Sequence, residues 1–489
     1  MNTVWTRLRL LCKSFCVVTL LAACTVNPAT GQQQFAALMS PGQESHVGAQ
    51  EHAKVIKTFG APRMDDPVQI YVNKIGRRIA EHTERPDVSY KFFVLDSATV
   101  NAFALPGGYV YVTRGLLAQA NTEAELAAVL AHEIGHITAR HSAERYSRGV
   151  LAGLGAAVIA AATDSAQAAQ VANIGSDLYI KSYSRSQESQ ADELGMRYMH
   201  KAGYDIAGMA KFLEGLEAQD DLQSRMAGQN GKSFSYFSTH PRTAERVVQA
   251  YNVGAQYPKN AMEQGRGAYL NAIDGVVYGD SARQGFVRGQ NFYHPVMGFT
   301  LGFPAGFRIN NQPAQVIAVS HDGEAAIIFD AVASAGADDP ISYIANEWMR
   351  AEAIADSESI EINGKKAATA SFAGRVNNRP VTIRLVAVSW ARHRFFRLQM
   401  SMPQDADAEL LEDLKRTTYS LRPMNAREKR DVQPWRLRLV TAKPGDTVQS
   451  VAARQPFSSF QEDRFRVLNG MKPGEALQTG RPYKWVSEK

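Results

Sequence analysis

The most restrictive feature of the chain is a pair of histidines, His132 and His136, set four residues apart in the stretch HEIGH. On a helix that spacing puts both imidazoles on one face, one turn apart, where they can share one Zn²⁺. Glu133 lies beside the first histidine and can take a proton from a water held there. Ala127, Ala128, Val129, Leu130, Ala131 and Ile134 surround the pair, so the helix is expected to be buried. Asn121-Thr122-Glu123-Ala124-Glu125 supplies capping chemistry for its start. Gly135 sits inside the motif, where helices normally avoid glycine. Two solvated histidines on a surface helix do not account for this setting.

A catalytic zinc needs a third protein ligand and an open position for water. The mature chain keeps at most one cysteine, so ligands must come from histidines and carboxylates. Glu188 in SRSQESQAD is the candidate, and Asp192 stands four residues further along the same helix face. Glu188 can bind the metal, while Asp192 can accept the N–H of a ligand imidazole.

These segments together resemble a known family of zinc metalloproteases. It contains the CAAX-prenyl endopeptidase and the periplasmic β-barrel assembly-enhancing protease. The matching stretches are NAFALPGG at 101–108, RGLL at 114–117, HEIGH, the Glu188–Asp192 segment and HPRTAER at 240–246, in order over about residues 50–250. The resemblance implies a gluzincin-type helical domain with a small sheet. It implies His132, His136 and Glu188 as ligands, Glu133 as general base, and Asp192 as a further catalytic-site residue, often described as a proton donor. The chemistry of the spacing favours Asp192 as a partner of a ligand imidazole instead. In periplasmic relatives a histidine at the position of His240 can fill the open position of the zinc at rest, and Arg246 is expected to organise that loop or stabilise an oxyanion. The stretch 101–112 reads either as a sheet edge that receives substrate or as an ordinary core hairpin.

The rest of the chain frames this domain. At 489 residues it suggests roughly two to four domains of ~100–200 residues. A net charge of +6 leaves no basic stripe of the kind that binds nucleic acid. Arg7, Arg9 and Lys13 precede an apolar run, Phe15 to Ala23, too short to span a membrane and suited to a secretory signal at 1–23. Leu21-Ala22-Ala23-Cys24 resembles a bacterial lipobox, with Cys24 lipidated, and Thr25 after it points toward the outer membrane. Residues 24–50 are expected to be a lipid-anchored tether, 51–285 the peptidase domain, and 293–422 an α+β domain of unassigned role. The layout of that α+β domain resembles small domains of the Mog and PsbP type, which carries no function. Residues 423–436 read as a linker, and Val150 to Ala162 as a buried or lid-like helix.

Residues 437–489 run strand, helix, helix, strand. Their Gly445-Asp446-Thr447, Leu468-Asn469 and Leu477 to Gly480 resemble a LysM module, a βααβ unit often used to bind peptidoglycan. The fold class is therefore α+β and multidomain. The expected function is a lipid-anchored, periplasm-facing zinc endopeptidase with one Zn²⁺, acting on misfolded or stalled envelope proteins. Two rival readings are a murein-cleaving metallohydrolase and a non-catalytic envelope chaperone with a closed zinc site.

Overall fold

The computed structural model describes residues 25–150, 182–227, 236, 240–241, 244–257, 264–349, 356–376 and 378–488. The chain divides into two bodies, Met1–Val276 with Leu437–Ser487, and Val277–Arg436 with the last two residues. Cys24 and residues 151–162 of the expected lid-like helix lie outside the described residues.

The first body opens with β1 (Thr25–Val26) and β2 (Gln33–Gln34), paired antiparallel, and then α1 (Pro41–Phe59). This corrects the expected tether over 24–50. Asn27, Ala36 and Met39 are buried, and Ser40 caps α1 with a full capping box to Gln43. The Gln-rich composition suggested a solvated segment, yet Asn27, Ala29, Gln34, Ala36 and Met39 are packed into the body, while Val26, Gln32, Gln33 and Leu38 stay exposed. Next come α2 (Pro67–Ala80), β3 (Lys91–Leu95), β4 (Ala102–Leu105), β5 (Tyr109–Thr113) and α3 (Arg114–Gln119). Asp66 and Thr113 cap the two helices, and Pro67 stands at the first helical position. The sheet order is β3-β5-β4, with β3 parallel and β4 antiparallel to the fully buried β5, so β4 lies at an edge.

Helix α4 (Glu123–Thr138) carries HEIGH and is buried along its whole length. Thr122 caps it, accepting the Glu125 amide at 3.1 Å. Helices α5 (Arg185–Lys201), α6 (Ala207–Ala227), α7 (Ala244–Gly254) and α8 (Arg266–Ile273) complete this part. Ser184 caps α5 through a second capping box, with Gln187. Helices α4 and α5 cross at two glycines. A Cβ on Gly135 would stand 3.0 Å from the Ala191 carbonyl oxygen, and one on Gly195 would stand 3.1 Å from the His132 amide nitrogen. That is the reason a glycine interrupts the motif: the two backbones touch where it sits.

In the second body seven strands form one antiparallel sheet: β6 (Phe307–Asn311), β7 (Gln315–Ser320), β8 (Ala326–Ala333), β9 (Asp356–Ile362), β10 (Lys365–Val376), β11 (Arg379–Ala391) and β12 (Arg394–Pro403), in the order β6-β7-β8-β12-β11-β10-β9. Asn363 and Gly364, both at positive φ, make the two-residue turn between β9 and β10. Helix α9 (Ala408–Ser420) lends Leu414 to a core with Phe299, Phe329, Phe396 and Leu398. The expected linker at 423–436 is not extended. Asn425 caps α10 (Ala426–Asp431) there, and β13 (Trp435–Thr441) begins before its end.

The C-terminal stretch continues with α11 (Val448–Ala452), α12 (Gln461–Leu468) and β14 (Pro482–Ser487), the strand–helix–helix–strand order expected, with β13 and β14 paired. Its core is Ala442, Val448, Val451, Phe465 and Tyr483. It belongs to the same body as the helical domain, and a buried lysine is one of the groups that join them. Lys484 Nζ donates to the carbonyls of Ala118, Gln119 and Ala120 at 2.6, 3.1 and 2.7 Å. These acceptors close the C-terminal end of α3, whose last carbonyls lack helical partners and favour a positive charge. Replacing Lys484 by Met keeps the length and removes the donors. It is expected to cost about 3 kcal/mol of unfolding free energy in urea titration, whereas Met at the exposed Lys443 costs under ~0.5 kcal/mol. Equal costs would refute the role given to this lysine.

Candidate metal centre

Helix α4 turns His132 and His136 toward α5, which turns Glu188 and Asp192 back at them. His132 Nε2 and His136 Nε2 are 3.1 Å apart. Glu188 reaches both, with Oε2 3.5 Å from His132 Nε2 and Oε1 3.4 Å from His136 Nε2. His240 completes the cup, its Nδ1 lying 3.3 Å from His132 Nε2 and 3.1 Å from Glu188 Oε1. All four side chains are at most 1 % exposed. One ligand atom from each lies within 4.8 Å of every other.

The remaining expected residues surround this cup. Asp192 Oδ1 accepts from His132 Nδ1 at 2.8 Å, which leaves the Nε2 lone pair of His132 facing inward. Arg246, from α7, donates to Asp192 through Nε at 2.7 Å and Nη2 at 2.8 Å, and pairs with Glu188 Oε2 through Nη1 at 2.8 Å. The same Nη1 reaches the Pro241 carbonyl at 3.4 Å, beside His240. Arg246 is thus spent on two carboxylates and the His240 loop. Glu133 points at the cup with both carboxylate oxygens fully buried and lacking a hydrogen-bond partner among the described residues.

Electrostatics follow from this packing. Burial pushes Glu133 upward. Burial also acts to raise Glu188, but the charge of His240 and hydrogen bonds from His132, His136 and His240 hold it well below the usual range. Burial acts to raise Asp192 as well, and Arg246 outweighs it. Burial acts to lower His132, yet Asp192 and Glu188 lift it to about 10, a sign that the cup favours a cation. Burial drives His136 well down, leaving it neutral.

Three aromatic residues here carry no signal in the motif spacing. Tyr183 stacks on His136 with ring centres 3.6 Å apart at 14°, and Arg145 lies over its other side at 3.7 Å. Tyr236 stacks on His240 at 4.4 Å and 12°. His141, five residues past His136, hydrogen-bonds that imidazole, Nδ1 to Nδ1, at 2.8 Å. Nothing in the pattern of HEIGH requires these contacts, because their partners come from separate segments.

The residues fit a zinc ion. Tetrahedral ligands at ~2.0–2.1 Å stand about 3.3 Å from one another, close to the separations in the cup. Three imidazoles and a carboxylate are ligand types that zinc accepts. Glu133 is buried with its Oε1 3.4 Å from His240 Nε2, and among the described residues neither carboxylate oxygen accepts a hydrogen bond.

A helix bearing HEIGH, facing a glutamate from a second helix, defines a zinc metallopeptidase domain. Residues 68–252 match the model of peptidase family M48. Among relatives, the beta-barrel assembly-enhancing protease of Escherichia coli (strain K12) is 29 % identical over 242 residues, covering 47 % of this chain and 48 % of that protein. The mitochondrial metalloendopeptidase OMA1 of Schizosaccharomyces pombe is 31 % identical over 212 residues, covering 42 % and 59 %. Metalloprotease LoiP of Escherichia coli (strain K12) is 26 % identical over 260 residues, covering 49 % of this chain and 94 % of LoiP. The chain thus spans about half the length of the assembly-enhancing relative. Among the described residues, no helix is long and apolar enough to cross a membrane.

Metal removal provides a test. Zinc at a free concentration a thousandfold above its Kd is expected to stabilise the fold by about 4 kcal/mol. Calorimetry with and without chelator reads this as a fall in melting temperature on chelation, and an unchanged transition would count against the site.

Proposed function

We propose that the chain is a zinc-dependent endopeptidase of the bacterial cell envelope. The observation that carries this reading is the buried Glu133 carboxylate, which accepts no hydrogen bond among the described residues, lies 3.4 Å from His240 Nε2 and faces a cup of three imidazoles and a carboxylate. Zinc bound there supplies Lewis-acid activation of a water and of the scissile carbonyl. His132, His136 and Glu188 would hold it. Glu133 takes the proton of the attacking water and passes it to the leaving amine, and its burial-raised affinity for a proton suits both transfers. Asp192 holds His132 in the tautomer that binds metal, and Arg246 holds Asp192. The edge strand β4 is the place for an extended substrate to pair.

His240 occupies the fourth corner of the cup, which is the resting state in this proposal. Water enters when the His240 loop moves, so the loop gates activity. Lipidation at Cys24 tethers the enzyme to the membrane facing the periplasm, with the outer membrane favoured by Thr25. The substrates are misfolded or stalled envelope proteins, a reading that rests on the kinship with enzymes named for envelope assembly. The Leu437–Ser487 stretch is LysM-like in its element order, and peptidoglycan is its proposed ligand.

Two substitutions test the chemistry. Glu133→Gln is expected to bind zinc as before and to lose about 10²–10⁴-fold in cleavage of a protein substrate such as casein. Full activity in that variant would overturn the mechanism. His240→Ala is expected to keep zinc and to raise turnover several-fold, read on a fluorogenic peptide. An unchanged rate together with unchanged zinc affinity would remove His240 from the gate.

A further inference from the structure

We infer that His141 is a positioning residue for the metal, holding His136 in the tautomer whose Nε2 lone pair faces the cup. The inference rests on the zinc reading above and adds a hydrogen-bonded chain that begins at the backbone of the N-terminal segment.

The chain can be read proton by proton. Asn27 Oδ1 accepts the Ala29 amide at 2.9 Å, and Asn27 Nδ2 donates to the Ala139 carbonyl at 3.3 Å. Backbone groups have fixed roles, so both ends of the Asn27 amide are assigned without choice. The same Nδ2 lies 3.2 Å from both Gln34 Oε1 and Gln190, sharing its two protons among three acceptors, and since an amide nitrogen accepts nothing the Gln190 atom facing it is the carbonyl Oε1. That oxygen also faces His141 Nε2 at 2.8 Å, so His141 carries its proton on Nε2. A neutral imidazole with its proton there has a lone pair on Nδ1. His141 Nδ1 therefore accepts from His136 Nδ1 at 2.8 Å. His136 then has its proton on Nδ1 and its lone pair on Nε2, 3.4 Å from Glu188 Oε1 and 3.1 Å from His132 Nε2.

His132 reaches the same state by a different route, through the charged Asp192–Arg246 pair. The two ligand histidines are thus oriented independently, one by an ion pair and one by a neutral relay. The relay is buried at His136 and His141 and ends in the β1–β2 segment at Asn27. Tyr183 stacked on the face of His136, with ring centres 3.6 Å apart, hinders rotation of that imidazole.

The test is zinc affinity, measured by competition with a chromogenic chelator, with the melting temperature of each metal-free protein recorded alongside. His141→Leu removes the acceptor and is expected to weaken zinc binding about 10–100-fold. His141→Asn returns an oxygen near the position of Nδ1 and is expected to recover most of that loss, which a role in packing alone would not produce. Gln190→Leu, at a partly exposed position, leaves His141 in place and is expected to weaken binding in the same direction by less. Affinity within about twofold of wild type in both Leu variants, or His141→Asn as weak as His141→Leu, overturns this inference alone. A wild-type protein that binds no zinc overturns the metal reading and this inference with it.

Discussion

The contact between α4 and α5 at Gly135 and Gly195 is the constraint on which the site depends. Two ligands come from one helix and the third from the other, so the distance between helix axes sets whether the three can meet. Any Cβ at either glycine would press on the backbone of the partner helix. Packed interiors do not absorb such a push without moving. A shift of even a fraction of an ångström at this crossing would be carried to Glu188, four residues from Asp192 and seven from Gly195. The cost of glycine within a helix is accepted here because the packing offsets it.

Around that crossing the charges are arranged as pairs within pairs. Arg246 pairs with two buried carboxylates and, together with the histidines around them, keeps both ionised in so dry a place. With Asp192 held, His132 is held. Glu133 accepts no hydrogen bond among the described residues, has only His240 Nε2 at 3.4 Å beside Oε1, and is the one of the three whose proton affinity ends up raised. Two carboxylates kept ionised and one raised is a division of roles made by neighbours, since all three are buried to the same degree.

The ends of the chain take part in this body as well. Asn27 reaches Ala139, just past HEIGH, and Arg140 in the same turn donates to Met39 and Glu44. At the other end Lys484 closes the carbonyls of α3. The C-terminal stretch is therefore joined to the helical domain by buried hydrogen bonds from Lys484, which fix the register in a way that hydrophobic contact alone would not.

The local signals in the sequence were enough to locate most elements and the ligand set. Thr122 within Asn121–Glu125 caps a helix, Pro67 starts one, Asn363-Gly364 turns a hairpin, and HEIGH with Glu188 and Asp192 marks the candidate centre through i, i+4 spacing. These were legible because each depends on residues within a turn or two of one another. The packed 25–50 segment, the capped helix inside the supposed linker, the Lys484 latch, the tyrosines stacked on His136 and His240, and the relay from Asn27 to His136 were not. Each joins segments many residues apart, and composition carries no record of which distant partner a side chain meets. The sequence by itself determined which side chains are candidates for the centre, through residue type and i, i+4 spacing. Only the tertiary structure decided how close the helices come, which nitrogen of each imidazole faces inward, and that His240 stands in the fourth corner, because those depend on distances that only packing sets.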